Sequence, residues 1–159
     1  MERYVPSLNL LYRALIFTEG VFGRRVEGAQ AMVLKGDHVL LVRTTYRPHW
    51  ELPGGKTRRG EAPEAAVVRE TKEEAAIFIR KLERKLGTYA HHTLRRKATI
   101  HVYIVRDWEE LDLWRPNFEI AERRFFPFEA LPADISIPTQ LRLEEYRSGL
   151  PQEFSGVWE

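Results

Sequence analysis

Apolar and polar residues follow two rhythms along this chain. Leu8, Leu11, Tyr12 and Leu15 recur at helical spacing, which predicts an amphipathic helix over 7–17. "AQAMVL" (29–34) and "HVLLVR" (38–43) are apolar runs on either side of "KGD", the pattern of a β-hairpin. The stretch "TTYRPHWELPGG" is broken by Pro48, Pro53, Gly54 and Gly55 and reads as a loop. Residues 62–75 lack glycine and are rich in Ala, Glu, Arg and Lys, which predicts a helix with Pro63 near its start. On that helix Val68, Thr71 and Ala75 form a stripe at i, i+3, i+7, away from Glu70, Glu73 and Glu74. One face is expected to pack and the other to be acidic.

Further on, "KLGTYAHH" (85–92), "ATIHVYIVRDW" (98–108) and "EIAERRFFPF" (119–128) predict strands. "PTQLRLEEYRSG" (138–149) opens on Pro, ends on Gly and predicts a closing helix, with a loosely held tail after Pro151. Neither an internal repeat nor a low-complexity linker is present. The simplest architecture is a mixed sheet flanked by helices, of the α/β (α+β) class, with one domain spanning 1–159.

Composition narrows the function classes. The 159 residues carry a formal net charge of +2, too mild a balance to imply nucleic-acid binding. Cysteine is absent, which excludes disulfides, thiolate chemistry and Cys-type zinc sites, and fits a reducing cytoplasm. The first twenty residues lack a basic leader, and Asn9 and Arg13 interrupt their apolar run, so no signal peptide is expected. No stretch reaches the roughly 18 apolar residues of a membrane span. His38, His49, His91, His92 and His101 show no paired ligand spacing.

Glu70, Glu73 and Glu74 fall at i, i+3 and i+4. Like charges at that spacing oppose helix formation by a few tenths of a kcal/mol per pair, about 0.2–0.5. A bound divalent cation accounts for such a cluster, because carboxylate oxygens suit Mg²⁺ or Mn²⁺. The bland alternative is a solvated face laced with pairs such as Arg69 to Glu73. The loop before the helix favours the first reading. Gly54 and Gly55 permit close backbone approach, Pro53 stiffens the path, and Trp50 and Leu52 can anchor it. Arg58 and Arg59 offer cations to phosphate oxygens, and Glu61 and Glu64 suit the positive end of the helix.

"GKTRRGEAPEAAVVRETKEEAAI", from Gly55 to Ile77, resembles the Nudix box, Gly-x5-Glu-x7-Arg-Glu-U-x-Glu-Glu-x-Gly-U with U bulky and aliphatic. Gly55, Glu61, Arg69, Glu70, Glu73, Glu74 and Ile77 agree. Thr71 stands where the box has an aliphatic residue and Ala76 where it has glycine. With glycine gone, the helix is expected to run on into "IFIRKL" or to close in a different turn. "WELPGG" upstream and "EIAERRFFPFEALP" downstream are also similar to the family, so the resemblance extends over most of 26–132.

The resemblance implies a Nudix-like α/β/α sandwich and a pyrophosphohydrolase that uses Mg²⁺ or Mn²⁺. Glu70, Glu74 and Glu73, with the Gly55 carbonyl, are the implied metal ligands. Glu70, Glu73, Arg69 and Glu119 are the implied catalytic group. Arg69 would orient a box glutamate, and Glu119, ahead of Glu122, is the candidate base from a later loop. Arg58, Arg59, Arg43 and Tyr46 are candidates for holding substrate, while Glu61, Gly54 and Pro53 support the site. Tyr46, Trp50, Trp108, Trp114 and Phe118 are aromatic candidates for stacking on a base. The implied substrate is a nucleotide such as a (d)NTP. Alternatives are ADP-ribose or another nucleotide sugar, a dinucleoside polyphosphate, or an RNA 5′ end. An alternative of another class is a nucleotide-binding regulatory module without hydrolysis. Relatives are commonly homodimers, and the N-terminal helix offers one interface.

Overall fold

The computed structural model describes residues 26–93, 96–111, 113–149 and 154–157. The helix expected over 7–17 lies outside them. Strand β1 (Val26–Lys35) is the hub. It runs parallel to β7 (Arg96–Val105) along one side, from Val26↔Ala98 to Val33↔Val105. On its other side it pairs antiparallel with β4 (Gly54–Lys56) near its start and with β2 (His38–Thr44) near its end. Gly36 has φ 59 at the first position of the tight β1–β2 turn, where a side chain would be strained.

Strand β2 pairs in turn with β3 (Trp50–Glu51) and β9 (Ile120–Pro127). Strand β6 (Arg84–Thr93) extends the sheet beyond β7. The segment read as a loose tail supplies β10 (Phe154–Val157), parallel to β6. Strands β5 (Ile77–Lys81) and β8 (Asp107–Glu110) form a separate two-stranded ribbon. The stretch read as one loop therefore contains β3 and β4. Both are too short to show a period of two, and their ladders come from tertiary contact.

Alternation along the strands splits the core into two layers. Ala29, Ala31 and Val33 of β1 face helix α1 (Pro63–Ala75), where Ala66, Val67 and Ala75 pack with Ile77, Tyr103 and Ile120. Met32 and Leu34 face helix α2 (Ile137–Arg147), where Leu143 packs with Leu41, Leu52, Leu86 and Tyr89. The result is the α/β/α sandwich with a mixed sheet. None of the helices among the described residues is long and apolar enough to cross a membrane.

Helix α1 departs from its expected packing face. Ala66, Val67, Thr71, Glu74 and Ala75 are buried, while Val68 is only half-buried. Glu74 therefore points inward rather than sharing the outer face with Glu73. Helix α1 does not run on past Ala75. Ala76 itself takes the left-handed conformation, φ 49 and ψ 36, and donates its N–H to the Lys72 carbonyl at 3.1 Å. The following segment secures this turn: the Leu111 N–H reaches the Ala76 carbonyl at 3.0 Å, and the Trp114 indole N–H reaches the Glu74 carbonyl at 2.8 Å.

Candidate active site

Strand β4 lays Gly54 and Gly55 against β1, opposite Gln30 and Ala29. Gly54 has φ 150, and a Cβ there would lie 2.2 Å from the Ala29 carbonyl oxygen, so only glycine fits. A Cβ on Gly55 would lie 2.7 Å from the Glu70 carboxyl carbon. The second glycine thus makes room for a carboxylate, and strand and helix meet backbone to side chain.

Arg69 organises the acids around it. Its Nε and one terminal nitrogen donate to the two oxygens of Glu61, both at 2.8 Å. Its other terminal nitrogen donates to Glu70 at 2.6 Å and reaches Glu73 at 3.4 Å. A further bond runs to the Lys56 carbonyl at 3.1 Å. One guanidinium therefore ties strand, loop and helix together, using the fixed fork that lysine lacks. Glu61 also accepts the Arg58 N–H at 2.7 Å, and the Arg69 and Arg58 donors hold its carboxyl down at about 2. Glu61 and Arg69, expected to support and to orient the site, are bonded directly to each other.

The other acids are treated differently. Burial pushes the Glu70 carboxyl above its ordinary value, against the pull of Arg69. Glu74 is 6% exposed, and its hydrogen-bond donor among the described residues is the Gly54 N–H, at 2.8 Å. Burial, with the charges of Glu70, Glu119 and Glu51 adding to it, raises the Glu74 carboxyl to about 8 against that bond. Glu73 is exposed, with Arg58 at 3.3 Å.

The fold brings Glu119 to this group from the loop before β9, since its charge acts on both Glu70 and Glu74. Glu51 was not singled out in the sequence. Its signal was there: Trp50 and Leu52 are buried, so the residue between them faces the other way. Arg47 holds its carboxylate at 3.2 and 3.4 Å. Trp114, which fastens the end of α1, lies in an irregular loop and had no pattern to reveal it.

Arg58 and Arg59 are exposed beside the box. Arg43 is held by Glu122 and by Asp134, and lies over the Trp50 ring at 5.3 Å. Its cation serves cross-strand pairing between β2 and β9, and Glu122 is its partner. Tyr46 is half-buried beside the Arg47 guanidinium, 6.0 Å from its ring centre. Pro53 is buried, and its carbonyl accepts the Ala31 N–H at 2.8 Å.

As placed, no three His, Asp or Glu side chains among the described residues converge closely enough to enclose an ion. The donor chemistry nevertheless fits one. Glu74 is a buried carboxylate with one amide donor, Glu70 resists ionisation beside it, and the Gly55 backbone lies against Glu70. Hard oxygen donors short of positive charge suit Mg²⁺ or Mn²⁺.

Comparison with known proteins identifies the family. Over 89 residues the chain is 36% identical to mouse (Mus musculus) diphosphoinositol polyphosphate phosphohydrolase 3-alpha, covering 55% of this chain and 53% of that protein. Over 79 residues it is 33% identical to the 8-oxo-dGTP diphosphatase of Proteus vulgaris, covering 47% of this chain and 70% of that one. The chain thus spans about half the length of the diphosphoinositol relatives it matches. The crystal structure of a MutT NUDIX hydrolase from Burkholderia pseudomallei superposes with a TM-score of 0.68 at 25% identity, covering 77% of this chain and 98% of that one. The family model for the NUDIX domain matches residues 24–145, and the chain belongs to that family.

Proposed function

We propose that this chain is a metal-dependent pyrophosphohydrolase that cleaves a diphosphate linkage in a nucleotide, foremost a (d)NTP. The observation that carries the reading is Glu74: a buried carboxylate answered by one backbone amide and by no cation of its own among the described residues. A buried carboxyl without a charged partner either keeps its proton, as Glu74 does up to about 8, or exchanges that proton for a cation from outside, which this reading supplies. Glu70 and Glu74, with Glu73 and the Gly55 carbonyl, would hold Mg²⁺ or Mn²⁺. The ion would supply neutralisation of phosphate oxygens and a more acidic water.

The chain's own residues do the rest. Arg69 fixes the Glu70 carboxylate and keeps loop and helix in register. Glu119 accepts the proton from the attacking water as its oxygen bonds to phosphorus and the bridging P–O bond breaks. Arg58 and Arg59 face the phosphate oxygens. Similarity to the 8-oxo-dGTP diphosphatase of Proteus vulgaris supports a nucleotide substrate. The diphosphoinositol relatives favour a second reading, a non-nucleotide diphosphate.

The deciding experiment is a screen of nucleoside triphosphates, ADP-ribose, dinucleoside polyphosphates and a diphosphoinositol polyphosphate with Mg²⁺ or Mn²⁺, scored by phosphate and pyrophosphate release. Turnover of nucleotides that EDTA abolishes is the expected result. Turnover that survives EDTA would sink the metal role, and saturable nucleotide binding without release would make the chain a regulatory binder.

A further inference from the structure

Three tryptophans that were candidates for stacking on a base are engaged inside the fold. Trp50 is buried against Phe126, with ring centres 4.8 Å apart. Trp108 stacks on Phe125 at 5.4 Å and donates to the Leu34 carbonyl at 2.9 Å. Trp114 packs on the core layer beneath α1 and donates to the Glu74 carbonyl at 2.8 Å. The last of these bonds ends on a residue of the acidic site. Trp114 lies in the irregular stretch between β8 and β9. Leu113 and residues 115–119 around it are exposed, and Trp114 alone among them is half-buried.

Glu74 is consequently held at both ends. Its carboxylate accepts the Gly54 N–H at 2.8 Å, and its carbonyl accepts the Trp114 indole. That carbonyl is one of the last four of α1, which find no partner within the helix. The Leu111 N–H takes the Ala76 carbonyl, another of the four, at 3.0 Å. The need for these outside donors has a local cause. A glycine after Ala75 would take the left-handed turn freely. Ala76 takes it at φ 49 with a Cβ to accommodate, and bonds from the segment after β8 hold the turn.

We infer that Trp114 is a positioning residue: its indole bond fixes the last turn of α1 so that the Glu74 carboxylate is presented to a divalent cation, a task that falls to a side chain because Ala76 stands where glycine would close the turn unaided. This rests on the metal-dependent reading above. Bonds one step behind a metal ligand set its direction, and losing one weakens ion binding by about 10–100-fold.

The test compares wild type, W114F, W108F and the double variant W114F/A76G, all without substrate. Mn²⁺ binding is read from the electron paramagnetic resonance of the free ion, and stability from Tm in metal-free protein. W114F and W108F each delete one indole donor beside the same core layer and leave an aromatic ring in place, so both are expected to lower Tm. W114F is expected to weaken Mn²⁺ binding about tenfold, and W108F to leave it within about twofold. Adding A76G to W114F recovers most of the loss. A measurement on the unaltered protein does not depend on the folding of any variant. By reciprocity, saturating Mg²⁺ slows solvent exchange of the Trp114 indole proton and leaves that of Trp108 unchanged. Equal Mn²⁺ affinity in W114F and W108F overturns the inference and leaves the hydrolase reading standing, as does Trp114 exchange that bound Mg²⁺ does not slow. An equal loss with and without A76G overturns it too, because the bond would then not stand in for glycine. If wild type binds no Mn²⁺, the metal reading falls and the positioning role with it.

Discussion

The two helices flanking the sheet each bury a charged side chain, and they treat it in opposite ways. Helix α2 buries Arg142, 2% exposed, and answers it within the same helix. Its Nε lies 2.8 Å from Glu145 and a terminal nitrogen donates to the same carboxylate at 2.9 Å. The Tyr89 hydroxyl adds a bond to Glu145 at 2.7 Å, and its ring lies 3.8 Å from the guanidinium. Helix α1 buries Glu74, which receives one amide, from Gly54 of β4. Its arginine, Arg69, is already engaged by Glu61 and Glu70. One helix closes its electrostatics and the other leaves them open. Perturbed, under-compensated carboxylates are where chemistry is to be sought; balanced pairs are fastenings.

Breaking the closed side has the largest expected effect on stability. R142A removes a buried side chain and leaves the half-buried Glu145 without its cation, and is expected to cost about 3 kcal/mol. Urea unfolding reads the loss, and nucleotide kcat at a temperature where the variant stays folded should match wild type. Breaking the open side does the reverse. E70Q and E74Q are expected to lower kcat on the order of 100-fold or more while circular dichroism stays native. Full activity in both variants would return the acidic helix to the status of a solvated surface.

Titration sharpens the contrast within α1 itself. In metal-free protein Glu74 keeps its proton to about 8 when folded, against 4.5 as its ordinary value. Between those values the folded state holds the extra proton, so its contribution to stability falls as pH rises from 4.5 to 8. Glu61, held at about 2, runs the other way: its contribution is complete above 4.5 and is lost as pH falls towards 2. Melting curves across pH should show both limbs, and E74Q should remove the upper one. Mg²⁺ should raise Tm more at pH 8 than at pH 6, because a ligand must first lose its proton.

The smallest effect concerns the helix ends. Past α2 the left-handed residue is Gly149, φ 68, whereas α1 closes on Ala76, φ 49. An alanine there costs about 1 kcal/mol or a little more. A76G should therefore stabilise the fold by about 0.5–1 kcal/mol once the looser unfolded chain is counted. Thermal unfolding measures it.

The sequence revealed α1 to within a residue of its start, the β1–β2 hairpin, and α2 within two residues at its end. These elements carry their own punctuation: Pro63, Gly36, Pro138 and Gly149. Helical spacing also grouped Glu70, Glu73 and Glu74, while Arg69 and Glu61 were singled out through the resemblance to the box. It did not reveal that Glu74 turns inward, although Val67 lies seven residues earlier, close to two turns, and is buried. Charge is a poor guide to burial when the compensating ion lies outside the chain. Arg142 was harder to read: its Glu145 partner is local, at i+3, but the Tyr89 ring that covers it comes from β6 through packing. Arg43 likewise looked available for substrate until β9 brought Glu122 across from it.

The bond from Gly54 to Glu74 is made by the peptide itself, so an ordinary side-chain exchange cannot delete the donor. The same residue tolerates no replacement, because any Cβ would strike β1. Random substitution can therefore alter what surrounds this carboxylate far more readily than the amide that holds it, and laboratory evolution of a new substrate range should spare Gly54 while rewriting the rim.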